Sequence, residues 1–180
     1  MIPRKAFMTK GLGMHQDRLA SFELALRDAG IQKFNLVRVS SILPPKCSIV
    51  SKDEGLEDLS PGEIVYCVLA KNQTNEPHRL VAAAIGNAMP LNSDYYGYIS
   101  EHYSFGEDET TAGEYAEDLA ATMLATTLGI EFDVGSSWKE REHVYKASSH
   151  IIDTTHFCKC VHGDPEGRWT TVLAAMVFVG

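Results

Sequence analysis

FNLVRVSSILPP, residues 34–45, is the stretch from which the rest of the chain can be read. Phe34, Leu36 and Arg38 alternate with Asn35, Val37 and Val39, the period of two that predicts a β-strand. Pro44 and Pro45 have no N–H to give a sheet, so this cannot run on as a central strand. The chain is expected to change direction across Ser41–Pro44. Ser40 and Ser41 therefore stand where a buried strand is predicted to meet a turn.

Upstream, DRLASFELALRDA (17–29) predicts a helix. Leu19, Phe22, Leu26 and Ala29 recur at helical spacing, and Gly30 follows where a left-handed cap belongs. Glu23 borders that apolar face, and an edge glutamate reaching past its neighbours to water is the ordinary reading. Downstream, residues 46–62 read as an exposed acidic loop (Asp53, Glu54, Glu57, Asp58) closing on the turn Pro61-Gly62. Glu63–Ala70 and Leu80–Ala88 read as apolar strands, joined by KNQTNEPHR as an antiparallel pair. Tyr95–Tyr103 is a third strand. Its parity sets Glu101 in one row with Tyr95, Gly97, Ile99 and Tyr103, an acid among aromatic and apolar neighbours.

Thr111 and Glu114 fit a capping box. They open a second helix striped with Ala116, Leu119, Ala120, Met123, Leu124 and Leu128 and stopped by Gly129. A polar loop is expected over 133–142, then strands over His143–Val161 and Trp169–Val179 around a turn at 162–167. Helix, strands, helix and strands, without regular βαβ alternation, predict an α+β layered fold of mostly antiparallel strands.

The 180 residues, 44% of them hydrophobic, suffice for one buried core and one domain. Gly (14) and Pro (7) are sparse and without period, which excludes collagen-like and low-complexity classes. Sixteen basic against 24 acidic residues give a net charge of −8. That balance argues against a nucleic-acid partner; it suits a cationic substrate, or simply keeps the protein soluble. Cys47, Cys67, Cys158 and Cys160 show no CxxC spacing, as expected of reduced cytosolic thiols. The N-terminus lacks the apolar core of a secretory signal, and the longest apolar run, 172–179, is too short to span a bilayer. A soluble, cytoplasmic protein with no membrane partner is expected.

Gly11-Leu12-Gly13 has no predicted strand before it and is a weak phosphate signal; no P-loop, nucleophile elbow or dinucleotide fingerprint is present. His156, Cys158, Cys160 and His162 share one parity but span roughly 20 Å when extended. A single tetrahedral zinc needs every ligand within about 2.3 Å, so no metal site is expected there.

Set after NLVRV and before ILPP, the Ser40-Ser41 pair resembles the pyruvoyl-dependent arginine decarboxylases. LASFELALRDAGI (19–31) and YGYISEHYSFG (96–106) carry the resemblance further, and the second helix and C-terminal strands fall in the same order. It implies an αββα sandwich with two main helices. The assembly implied is a homotrimer of αβ units, or a dimer of trimers, with the active site between neighbouring subunits. It also implies a single domain, 1–180, that cleaves itself between Ser40 and Ser41 into a β chain (1–40) and an α chain (41–180).

In this resemblance the Ser41 hydroxyl attacks the Ser40 carbonyl, and Ser41 ends as a covalent pyruvoyl group, the enzyme's only cofactor. Attack by so weak a nucleophile calls for a strained turn and a donor to the oxyanion; Asn35 matches the family's processing asparagine. Glu101 matches the proton donor. Glu23 falls where an acid holds the substrate guanidinium, with Leu19 and Leu26 beside its aliphatic stem. The implied reaction turns L-arginine into agmatine and CO2. The alternatives are the same chemistry on another amino acid, or an unprocessed non-catalytic scaffold using the 156–162 strand for metal.

Overall fold

A computed structural model describes residues 2–130 and 153–180. In chain order the elements are β1 (Lys5–His15), α1 (Arg18–Ala29), β2 (Asn35–Arg38), β3 (Ile42–Leu43), β4 (Ser48–Val50), α2 (Lys52–Glu57), β5 (Ile64–Thr74), β6 (Leu80–Met89), β7 (Gly97–Phe105), α3 (Glu109–Thr127), β8 (Asp153–His162) and β9 (Trp169–Val179). They form two sheets, ordered β2-β5-β9-β1-β4 and β3-β7-β6-β8. The second sheet is antiparallel throughout; the first is mixed, with β1–β4 and β2–β5 parallel.

Strand parity separates three apolar layers. Val172, Ala174, Met176 and Phe178 of β9 face Val81, Ala83 and Ile85 of β6 and Ile99 of β7 between the sheets. The alternate residues Leu173, Ala175 and Val177 pack with Ala25 and Ala29 of α1 on the outer face. On the far side Ala82 and Ala84 of β6 meet Ala112 and Ala116 of α3. The result is the α+β fold expected, layered helix, sheet, sheet, helix.

Several local expectations need correction, mostly for one reason: the helices lie close to the sheets, so small residues make the contacts. The N-terminal segment, expected to be without a strand, is β1, hydrogen-bonded to β9 from Lys5↔Val179 to His15↔Trp169. A Cβ on Gly11 or Gly13 would lie 2.0 Å from the carbonyl oxygen of Ala25 or Ser21. These glycines are there so that α1 can approach, and their proposed phosphate role goes. The buried face of α1 is Ser21, Ala25 and Ala29, whereas Leu19 is 75% exposed. In α3 likewise Ala112, Gly113, Ala121 and Ala125 are buried and Leu119 is exposed. Its N-cap is Asp108, whose carboxylate accepts from the Thr111 N–H; the capping box expected at Thr111 is displaced by one turn.

Residues 46–62 are not one loop. They hold β4 and α2, with Cys47, Gly55 and Leu59 buried. β5 and β6 do not pair but lie in different sheets, because each carries a run buried on both faces, 67–70 in β5 and 81–88 in β6, and needs a position inside its sheet. β2 is an exposed edge strand rather than a buried one. Of the strand expected over 143–161, the part from 153 on is β8; residues 143–152 and the loop expected at 133–142 lie outside the described residues.

Candidate active site

Between β2 and β3 the chain leaves one sheet and enters the other, and Ser40-Ser41 is the crossing. The Val39 N–H donates to the Cys67 carbonyl, continuing the β2–β5 ladder for one more residue. Two residues after Ser40, the Ile42 N–H turns back and donates to the Ser40 carbonyl at 2.9 Å. This is a three-residue turn centred on Ser41. Among the described non-glycine residues only Lys46 and His78 have positive φ, so the turn is the inverse γ form. It is tight, and none of its three residues takes a positive φ. The Ser41 carbonyl in turn accepts from the Ile99 N–H of β7 at 2.8 Å. Ser41 is thus fixed on both sides: the carbonyl before it carries a backbone donor, and its own carbonyl is pinned to the second sheet.

A cavity of about 370 Å³ opens on this turn, lined by Pro3, Val39, Ser40, Ile42, Pro44, Tyr66 and Phe178. Around it Val37, Ile42, Ile64 and Tyr66 expose large apolar side chains. Ser40 is exposed and Ser41 half-buried.

Glu101 lies two residues along β7 from Ile99, and its side chain is 23% exposed. Its expected setting among aromatic rings does not form, since Tyr95 and Tyr103 are 57% and 61% exposed. Instead its Oε2 accepts from the Arg38 guanidinium at 2.7 Å. The same guanidinium nitrogen donates, also at 2.7 Å, to the Leu69 carbonyl, which β2 leaves uncovered where it ends. Arg38 therefore fastens the two sheets beside the crossing. Opposite it on β5, burial pushes the Cys67 thiol up to about 11, so a neutral thiol and no nucleophile stands there.

Asn35 opens β2, at the opposite end of the strand from Ser40, and its amide donates to the Gly62 carbonyl at 2.7 Å. In this chain the donor at the Ser40 carbonyl is the Ile42 N–H. Glu23 is on α1, across the outer face of the five-stranded sheet, and accepts from Arg27 one turn on at 2.5 Å. Leu26 is half-buried against the α1 layer, while Leu19 with Phe22, Lys71 and Gln73 lines a separate surface groove. One chain therefore brings Ser40, Ser41 and Glu101 together with Arg38, and leaves Leu19, Glu23 and Leu26 apart from them.

The 156–162 row has other work. His156 Nδ1 pairs with Glu117 at 2.5 Å, Cys158 is buried under α3, and the Cys160 thiol donates to the Glu107 carbonyl. Among the described residues no group of three His, Cys, Asp or Glu side chains is placed to hold a metal ion, and no helix is long and apolar enough to cross a membrane.

Arg38 and the Ile42 N–H are what sequence reasoning missed. A signal for Arg38 existed: it is a cation in an otherwise apolar strand row, as Glu101 is an anion in another, and the two charges answer each other. The Ile42 donor is backbone and leaves no mark in the sequence.

Comparison with known proteins covers nearly the whole chain. The family model for pyruvoyl-dependent arginine decarboxylase matches residues 5–180. The chain is 75% identical over 179 residues to the pyruvoyl-dependent arginine decarboxylase of Methanococcoides burtonii, covering 99% of both chains. It is 72% identical to pyruvoyl-dependent arginine decarboxylase 2 of Methanosarcina acetivorans, covering 99% of this chain and 98% of that one. Identity to the pyruvoyl-dependent arginine decarboxylase of Nitrosopumilus maritimus is 51%, with the same coverage. With a match from β1 to the last residue and this identity throughout, the chain belongs to the pyruvoyl-dependent arginine decarboxylase family.

Proposed function

We propose that this protein decarboxylates L-arginine to agmatine and CO2, with a pyruvoyl group that it makes from its own Ser41. The observation that carries the reading is the turn at Ser40-Ser41-Ile42, in which the carbonyl to be attacked already accepts a backbone N–H. As negative charge grows on that oxygen during attack by the Ser41 hydroxyl, a preorganised donor strengthens its hold without rearrangement. The Ser40–Ser41 peptide becomes an ester. Loss of the Ser41 Cα proton and departure of Ser40 as a carboxylate leave dehydroalanine at 41. Water then replaces its nitrogen, which leaves as ammonia. Asn35 is retained as the processing residue that the family resemblance implies.

The site fits the group so formed. Residue 41 becomes a chain end at the mouth of the cavity, with its amide carbonyl held by Ile99. The pyruvoyl ketone supplies an electron sink for the α-amino acid that condenses with it. Glu101, on the strand that pins residue 41, is the acid that returns a proton to the substrate α-carbon. Leu19, Glu23 and Leu26 of a neighbouring subunit complete the site in a homotrimer, Glu23 receiving the guanidinium through paired hydrogen bonds. Support for assembly comes from Leu19 and the apolar side chains around the cavity, all exposed in one chain. The protein works in the cytoplasm as one domain, cut into residues 1–40 and 41–180.

Purified protein supplied with arginine should release agmatine, and should give no amine from lysine, ornithine, histidine or aspartate. An amine from one of those and none from arginine would move the assignment to another amino acid.

A further inference from the structure

We propose that Arg38 is a positioning residue for the proton donor, and that cleavage at Ser40 moves it. In the uncleaved chain its guanidinium occupies Glu101 Oε2; in the cleaved enzyme it turns to the new Ser40 carboxylate and leaves Glu101 free to carry a proton. The inference rests on the proposed cleavage site and on Glu101 as the acid.

The geometry supplies each part. Arg38 and Ser40 are two residues apart on a chain that stays extended through Val39, which puts them on one side at roughly 7 Å. A guanidinium spans that distance. While the chain is whole, Ser40 offers Arg38 no charge, only a hydroxyl and a peptide carbonyl that already accepts from the Ile42 N–H. Elimination breaks the Ser41 Cβ–O bond of the ester, and the electron pair leaves with Ser40, creating a full negative charge beside Arg38. A guanidinium N–H and an acidic proton compete for the same carboxylate oxygen, so Glu101 cannot use Oε2 as an acid while Arg38 holds it.

Among the described residues few charged or titratable groups lie around Glu101, and on its own strand Tyr103 shares its face. Arg38 approaches from β2 and the neutral Cys67 thiol from β5, with Lys71 beyond Arg38. From β6 the cross-strand partner is the apolar Ile85, and on β7 His102 pairs with Glu107. A new carboxylate at Ser40 is thus a large change in that field.

The test is an infrared titration of Glu101, labelled with ¹³C in glutamate carboxyls and identified by subtraction of a Glu101→Gln sample. Mature wild-type enzyme is compared with the uncleaved Ser41→Ala chain. The proposal requires Glu101 to bind its proton about tenfold more tightly in the mature enzyme, a shift of about one pH unit. Adding Arg38→Gln to the Ser41→Ala chain should raise the titration toward the mature position, and Arg38→Lys should raise it less. Identical titrations of the wild-type and Ser41→Ala proteins would overturn the handover, without needing any Arg38 variant to fold. An Arg38→Gln change that leaves the Ser41→Ala titration unmoved would overturn the positioning role. Failure of the underlying reading looks different: wild-type protein stays one chain, or cleaved Glu101→Gln keeps its full kcat.

Discussion

Glu101 and Glu23 are each paired with an arginine, and changes at the two should have separate effects. Glu101→Gln keeps shape and hydrogen bonding but has no acidic proton. In cleaved enzyme, counted per pyruvoyl group, it should bind arginine and lose about 10²–10⁴-fold in kcat, the range for a general acid. A wild-type kcat would assign the proton to another group. The second case is Glu23, whose partner Arg27 presents the same guanidinium as the substrate. Arginine must displace it to be bound there. Arg27→Gln should therefore lower KM for arginine, by about fivefold at most for a pair this exposed, while Glu23→Gln raises KM and leaves chain cleavage intact. Steady-state kinetics on both variants settles it; an unchanged KM in both would return Glu23 to a solvated helix edge.

At the scale of elements, the contact of α1 with β1 is built from small residues, and it should be intolerant of growth. A Cβ at Gly13 would lie 2.0 Å from the Ser21 carbonyl and 2.5 Å from the Ala25 backbone nitrogen. Gly13→Ala should destabilise by about 1–3 kcal/mol or more, read from the denaturation midpoint, because backbone cannot yield as a side-chain tip can. An unchanged midpoint would mean that the helix can shift away freely. The same contact explains what the sequence revealed and what it hid. Residues 34–39 and 17–29 were legible because apolar residues recur there at a clear period, and 169–179 because they form an apolar run bounded by turn residues. β1 was hidden because Gly11 and Gly13 break its alternation, and yet those two glycines are what the packing demands. The buried face of α1 was misjudged for the same reason: periodicity counts Leu19, while the contact uses Ser21, Ala25 and Ala29. In the candidate site, Glu101 was legible as an acid out of pattern in its strand row, and Ser40 and Ser41 only through the family resemblance of NLVRVSSILPP. The Arg38 link was not, because it joins residues 63 apart in the chain across two sheets.

At the scale of the whole molecule, the proposed cut after Ser40 would not release the N-terminal piece. That piece supplies β1, held between β9 and β4, and β2, paired with β5. The proposed break would fall where one sheet hands the chain to the other, and so would free the new ends without opening a ladder. If the site is shared between subunits, co-refolding Ser41→Ala with Glu23→Ala chains should restore activity that neither has alone. Mixed trimers contain sites with an intact Ser41 from one chain and an intact Glu23 from the next. No recovery in proven mixed oligomers would put the whole site within one chain.

The most direct measurement is the mass of the purified protein under denaturing conditions. Two chains are predicted, residues 1–40 with an ordinary carboxyl terminus and residues 41–180 lighter than a Ser41-terminated chain by one ammonia. Their masses should sum to that of the precursor plus water less ammonia, and Ser41→Ala should remain one chain, lacking both nucleophile and leaving group. An intact wild-type chain of 180 residues in active protein, or two chains from Ser41→Ala, would contradict the account.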